Sequence, residues 1–298
     1  MSLKGKIALV TGASRGIGKG IAIELGAAGA TVYVTGRRPE NAVKFANSTT
    51  LSEVADEITQ RGGKGIAVYV DHADPKDVKN LFERIDNENN GQLDILVNNA
   101  YAAVPFIGSH VGKKFYEYEE SPEEAWDIVN NVGLRNTYVC STYAAKLMVK
   151  RKSGLIVTIG SRGGMKHLFN AAYGIGKDAG DRLAADLAIE LQGTGVISLS
   201  VWPGAVKTEA IDASTNKLIP SAVFDNGESI YFSGKTIAKL AADKELPKFN
   251  GKILLSYDLA VRYGVKDVDG RVVVPPQLEE RQQFAELINK IRAGDLHK

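Results

Sequence analysis

Ile7-Ala8-Leu9-Val10-Thr11-Gly12-Ala13-Ser14-Arg15-Gly16-Ile17-Gly18 decides the fold of this chain. Four apolar residues run directly into a turn holding three glycines. Ile21, Ala22 and Leu25 then continue at helical spacing. Such a turn needs glycine for definite reasons. One permits the tight bend, one lets backbone approach a ligand, and one lets the helix pack on the sheet. The first amides of the helix have no partners within it, so they face whatever anion enters the turn. A glycine trio alone is weak evidence, because turns collect glycine anyway. Its place between strand and helix makes it a dinucleotide-binding turn.

Working outward, short β-branched runs alternate with helix-length segments. Strands are predicted at 7–11, 31–35, 66–70, 95–98, 155–159, 197–201 and 252–255. They are nearly continuous apolar runs, as parallel strands covered on both faces require. Helices are predicted at 16–28, 51–61, 75–86, 122–150 and 173–191, with Asp74-Pro75 as a cap followed by proline at the first helical position. The alternation predicts an α/β, doubly wound parallel sheet, a Rossmann fold, with right-handed crossovers. One domain over 1–298 is expected. Its core reaches about 258, a substrate lid covers about 204–234, and a C-terminal helical extension covers about 259–298.

The 298 residues carry a net charge of +2 with both signs spread throughout, which gives no field for nucleic acid or anionic lipid. No run approaches the roughly 18 apolar residues of a membrane span. Nor does the start have the layout of a signal peptide. Cys140 is the only cysteine, so no intramolecular disulfide or multi-cysteine metal site can form. His72, His110, His167 and His297 lack ligand spacing, and no metal is expected. The expected compartment is reducing and cytoplasmic.

The end of the second strand selects the dinucleotide. An acid there would hold the ribose hydroxyls of NAD. This chain has Thr35-Gly36-Arg37-Arg38 instead, with Arg15 inside the glycine turn. Guanidiniums at that corner match the 2′-phosphate of NADP. The plain alternative is that Arg37 and Arg38 are solvated loop charges.

Tyr173-Gly174-Ile175-Gly176-Lys177 opens a helix that continues through Leu183, Leu187 and Leu191. The i, i+4 spacing puts phenol and ammonium on one face. A free phenol titrates near pH 10, and a fall of about three units corresponds to roughly 4 kcal/mol of differential stabilisation. The neighbouring ammonium is expected to supply it. The phenol would then work as acid or base near neutral pH.

These elements, in order, resemble the short-chain dehydrogenase/reductase family over most of the chain. The matches are the glycine turn, Asp71, Leu93-Asp94-Ile95-Leu96-Val97-Asn98-Asn99-Ala100, Ser161, Tyr173 with Lys177, and Pro203-Gly204-Ala205-Val206-Lys207-Thr208. The resemblance implies catalysis by Ser161, Tyr173 and Lys177. Tyr173 would be the acid/base, Ser161 would steady the substrate oxygen, and Lys177 would bind the nicotinamide ribose. It further implies cofactor contacts from Gly12, Ser14, Arg15, Gly16, Ile17, Gly18, Arg37, Arg38, Asp71, Asn98, Ala100, Pro203, Val206 and Thr208. Asp94 would be structural support. Association into a homodimer or homotetramer through the helices at 122–150 and 173–191 is implied too. Asn98-Asn99-Ala100-Tyr101, Asn130-Asn131-Val132-Gly133-Leu134-Arg135 and the late segment 258–270 resemble one branch of the family, the last lying outside its general pattern.

One departure stands out. Many members have a relay asparagine inside the long helix, and ungapped alignment puts Gly133 there. Asn130 or Asn131 could substitute, a kink could deliver a backbone carbonyl, or both could be surface amides.

Three functions follow. The leading one is NADPH-dependent reduction of a small-molecule carbonyl, reversible to the alcohol. A nucleotide-binding sensor without turnover is the second, and an NAD-dependent alcohol dehydrogenase of the same fold is the third. Phe115, Tyr116, Tyr118, Met165, Leu168, Phe169, Phe224, Tyr231 and Phe232 are the expected apolar walls of the substrate site. Residues 278–291 show an apolar stripe, Leu278, Phe284, Leu287, Ile288 and Ile291, expected to pack on the domain or a sister subunit.

Overall fold

The computed structural model describes residues 2–41, 49–212 and 224–293. His297, the middle of the 39–50 excursion and the lid between 213 and 223 lie outside them. Seven strands form one parallel sheet: β1 (Ile7–Val10), β2 (Thr31–Gly36), β3 (Lys64–Tyr69), β4 (Ile95–Asn98), β5 (Gly154–Ile159), β6 (Val196–Trp202) and β7 (Ile253–Leu255). Their order is β3-β2-β1-β4-β5-β6-β7. The chain leaves β1 in one direction for β2 and β3 and in the other for β4 to β7. This creates a crevice beyond the carboxyl ends of β1 and β4, where ligands bind in open α/β sheets.

Helices α1 (Gly16–Ala27) and α2 (Leu51–Gln60) cover one face, together with the helix Ile230–Ala241. Helix α3 (Pro75–Glu88) covers the other, with α6 (Asn136–Arg151) and α7 (Ala171–Glu190). Between α3 and α6 run the short α4 (Val104–Ser109) and α5 (Pro122–Asn130). The strands are apolar on both sides because both sides are covered: β1 and β4 are buried at every position. The Thr50 and Glu53 capping box starts α2, and Asp74 caps α3 ahead of Pro75. Gly20 lets α1 meet its neighbour, since a Cβ there would lie 1.8 Å from the carbonyl oxygen of Ile230.

Two expectations are revised. The helix expected at 122–150 is broken by a wide turn over Asn131–Arg135, where Val132 and Gly133 leave helical geometry. The stretch from 203 to 234 is not loop throughout, because Ser229 accepts from the Tyr231 amide and starts a helix at Ile230. The late segment begins as a helix, Ser256–Tyr263, which ends on Gly264 at φ 63°.

The C-terminal helix Leu278–Ala293 packs on the domain. Leu278, Phe284 and Ile288 meet Trp202, Ile253 and Leu255. The Asn289 side chain donates to the carbonyl of Ile253 and accepts from its amide, which covers the edge of β7. Leu287 and Ile291 point outward instead, and Arg281 and Ala285 take the inner positions.

Candidate active site

A cavity of about 770 Å³ opens beyond the carboxyl ends of the strands. Gly12, Ser14, Arg15, Gly16 and Ile17 form its floor at the nucleotide end. Gly12 and Gly16 have φ values of 65° and 56°, and a Cβ on Gly12 would lie 2.7 Å from Cα of Ala100. The turn is held from beneath by Asn99, whose side-chain amide donates to the carbonyls of Thr11 and Gly12 at 3.0 and 2.9 Å. Gly18 packs on that same amide. Of the two asparagines, the one expected at the cofactor is not the one at the cavity wall. Asn98 is buried in the core and donates to Ser141, while Asn99 lines the cavity.

The amide of Gly16 donates to a carboxylate oxygen of Glu209 at 2.9 Å. A carboxylate thus sits at the start of α1, where amides and helix dipole favour an anion. The carboxylate is a stand-in for an anionic oxygen, such as one of a pyrophosphate, at the start of the helix. Glu209→Gln is expected to tighten binding of a nicotinamide dinucleotide roughly two- to five-fold by removing a competing charge. A fluorescence titration giving an unchanged or weaker dissociation constant would refute it.

At the corner after β2, Arg15 and Arg37 both line the cavity. Burial first, and then the neighbouring Arg37, hold Arg15 below its ordinary value. Arg38 lies elsewhere, with its guanidinium 5.6 Å from the Tyr69 ring centroid. Asp71 lines the cavity and accepts from the Ala73 amide. Asp94 accepts from Lys6, from the Ile7 amide and from Gln92, tying β4 to β1, which fits structural support.

Asn170 caps α7 by accepting from the Tyr173 amide at 2.9 Å, which fixes Tyr173 in the first turn. Its hydroxyl donates to Oγ of Ser161 at 3.0 Å. Ser161 also accepts from the Gly163 amide. Lys177 is one turn further on and donates to the carbonyl of Ile159 at 3.1 Å. The expected depression of the phenol is not what the protein alone provides. Burial raises Tyr173, with the Ser161 bond acting against it. Lys177 lies beside the rings, 5.9 Å from the Tyr173 centroid, rather than at the phenol oxygen. Burial also pushes Lys177 down to about 8, and the charge of Asp181 opposes this. Asp181, a further turn along α7, accepts from Ser200 and Trp202 and is fully buried. Nothing in its local sequence singles it out, because its partners lie on β6.

Tyr101 explains the missing asparagine. A Cβ on Gly133 would lie 2.7 Å from the Tyr101 ring. That ring also meets Tyr173 edge-on at 5.9 Å and has the Lys177 ammonium 5.1 Å from its centroid. Tyr101 therefore fills the space that a side chain at position 133 would use. Asn130 points to α7, donating to the carbonyl of Ala172. The Val132 carbonyl accepts from the Ala102 amide, and that of Gly133 accepts from the Thr137 hydroxyl. Gly133→Asn is expected to cost about 1–3 kcal/mol by overpacking. In a Tyr101→Gly background the same substitution should cost much less, because the ring it would meet is gone. Urea denaturation of the two singles and the double checks this, and additive losses would refute the coupling.

The substrate end is walled by Tyr101, Val104, Ile107, Leu168, Phe169 and Phe224. Only Leu168, Phe169 and Phe224 of the nine expected walls line it, and the other six are elsewhere. Phe115 and Tyr116 are 70% and 72% exposed, and Phe232 lies in the core. Met165 packs beside Trp202, and Tyr231 under Arg61. Tyr118 meets Phe106 and His110 edge-on. Val206 and Thr208 line the cavity next to Pro203. Among the described residues no cluster of three His, Cys, Asp or Glu could hold a metal, and no helix is long and apolar enough to cross a membrane.

The profile of the short chain dehydrogenase family matches residues 6–218. Dehydrogenase/reductase SDR family member 1 of Mus musculus is 47% identical over 282 residues, covering 91% of this chain and 86% of that protein. Its Homo sapiens counterpart is 45% identical over 280 residues with the same coverage. Among solved structures, a metagenomic short-chain oxidoreductase in complex with NADP superposes with a TM-score of 0.63 at 26% identity, over 83% of this chain and 94% of that one. With the parallel sheet, the glycine turn and the match running through most of its length, the chain belongs to the short-chain dehydrogenase/reductase family of oxidoreductases.

Proposed function

We propose that this chain is an NADPH-dependent carbonyl reductase with Tyr173 as its proton donor. The observation that carries this is the Tyr173 hydroxyl on Ser161 at 3.0 Å, inside the same cavity as the glycine turn. When bound, the nicotinamide supplies hydride to the carbonyl carbon. Tyr173 gives its proton to the carbonyl oxygen as charge develops there, and Ser161 donates a hydrogen bond to the same atom. In this reading Lys177 binds the nicotinamide ribose and keeps positive charge near the phenol. Asn99, Val206 and Thr208 hold the rest of the dinucleotide.

Preference for NADP rests on Arg15 and Arg37 at the corner after β2, with no acid there. The apolar and aromatic walls favour a hydrophobic ketone or aldehyde. Trp126, Tyr138 and Ile175 leave apolar surface exposed on α5, α6 and α7, which supports homodimer or homotetramer formation through those helices.

The test is NADPH oxidation, followed by loss of absorbance, over aromatic aldehydes, diketones and steroid ketones, with dissociation constants for NADPH and NADH. Turnover and tighter NADPH binding support the reading. Tight binding without turnover would favour a nucleotide sensor, and tighter NADH binding an NAD-dependent enzyme.

A further inference from the structure

The catalytic cavity has a second basic corner, far in sequence from the one assigned to the 2′-phosphate. Arg281, on the C-terminal helix, lines the cavity yet is only 5% exposed. Its Nη1 donates to the carbonyl of Pro203 at 3.2 Å, and its Nε has no partner among the described residues. Arg162, the residue after Ser161, lines the same cavity and donates to Oε1 of Gln277 at 2.5 Å. Neither guanidinium makes an ion pair with a described carboxylate.

The nearby acids are engaged elsewhere. Glu280 pairs with Lys166. Glu228 is buried and accepts from the Gly204 amide and from Ser233 and Ser256. Burial, followed by repulsion from Arg162, pushes Arg281 down to about 10, while Glu228 acts against this. Gln277, whose side chain accepts from Arg162 and whose carbonyl accepts from the Arg281 amide, is held at φ 51°, a left-handed conformation costly for a residue with a side chain. A buried guanidinium without an anion is expensive, and two that repel are more so. That cost is recovered when a planar anion enters, because the guanidinium fork matches a carboxylate.

Resting on the reductase reading above, we propose that Arg281 and Arg162 seat a carboxylate of the carbonyl substrate, so that the preferred substrates are hydrophobic oxo acids. The anion is the substrate's and not the cofactor's for a positional reason. The glycine turn and Arg37 lie at the other end of the cavity, whereas Arg162 adjoins Ser161 and Arg281 holds Pro203. The oxo group would meet Tyr173 and Ser161 while the carboxylate reaches the arginines, with Leu168 and Phe169 along the apolar middle. No described carboxylate competes for the seat.

The test compares 4-carboxybenzaldehyde with its methyl ester as substrates, reading the ratio of their kcat/KM values. In the native protein the acid should be preferred. Arg281→Gln and Arg162→Gln should each lower the acid-to-ester ratio about tenfold or more, and Arg281→Lys should restore part of it. A native preference for the ester, or an unchanged ratio in both variants, would overturn the seat and leave the reductase standing. An equal loss of NADPH affinity in Arg281→Gln would also overturn it, by assigning the arginine to the cofactor. Should Arg281→Gln fail to fold, Arg162→Gln carries the comparison, because that side chain is only half-buried. Should neither aldehyde turn over, the reductase reading fails, and the seat is read by titrating benzoate into the protein–NADPH complex. Saturable binding weakened in the Arg162 variant supports it, and no binding refutes it.

Discussion

Tyr173→Phe is expected to lower kcat/KM for carbonyl reduction by roughly 10²- to 10⁴-fold, the usual worth of a positioned general acid. The substitution removes one oxygen and leaves the ring. That ring is held edge-on by Tyr101 at 5.9 Å and by Phe169 at 5.0 Å, and Gly163 gives it room. None of these contacts uses the hydroxyl, so the fold and the cavity survive. Ser161 loses one donor but keeps the Gly163 amide. NADPH should still bind, with a dissociation constant changed far less than turnover. Absorbance kinetics beside a binding titration separate the two. Turnover within a few-fold of the native protein would mean that water or Ser161 delivers the proton, and the assignment of Tyr173 would fall.

Much of this could be read from the chain, and the reasons are physical. Strands buried on both faces, such as β1 and β4, write themselves as apolar runs, and the half-exposed edge strand β3 keeps enough of the pattern that all seven are legible to within a residue or two. The glycine turn is legible because close backbone approach excludes side chains at Gly12 and Gly18. What escaped depends on partners distant in sequence. The break at 131–135 is flanked by residues that suit a helix, and only the Tyr101 ring reveals why position 133 lacks a side chain. Arg281 sits in an amphipathic helix where periodicity assigns a charge to the outside, and the pocket beside Pro203 decides otherwise. Phe115 and Tyr116 were misread for the opposite reason, since aromatic character alone does not say whether a loop turns inward. Glu209 follows Thr208 without distinction until the fold lays it across the start of α1.

Asp181→Asn is expected to act on both stability and catalysis, because the carboxylate serves two partners. Burial pushes Asp181 up to about 7, against the Ser200 and Trp202 bonds and the Lys177 charge. It pushes Lys177 down to about 8, against the charge of Asp181. With asparagine the opposing charge is gone, so Lys177 loses its proton at lower pH. The basic limb of the kcat/KM profile should move acidward, costing about tenfold for each unit at pH values above it. For stability the sign runs the other way with pH. The folded carboxyl keeps its proton between about 4 and about 7 while the unfolded one does not, so the native protein loses stability from this group as pH rises through that window. Asparagine cannot titrate. It does place an amide against a ring N–H or a hydroxyl, a mismatch worth about 1–3 kcal/mol. The variant should therefore be less stable at pH 4–5, and its deficit should shrink toward pH 7. Urea unfolding across that range, beside pH–rate profiles, reads both. Parallel stability curves together with an unmoved basic limb would show that Asp181 only ties β6 to α7 and leaves the lysine to itself.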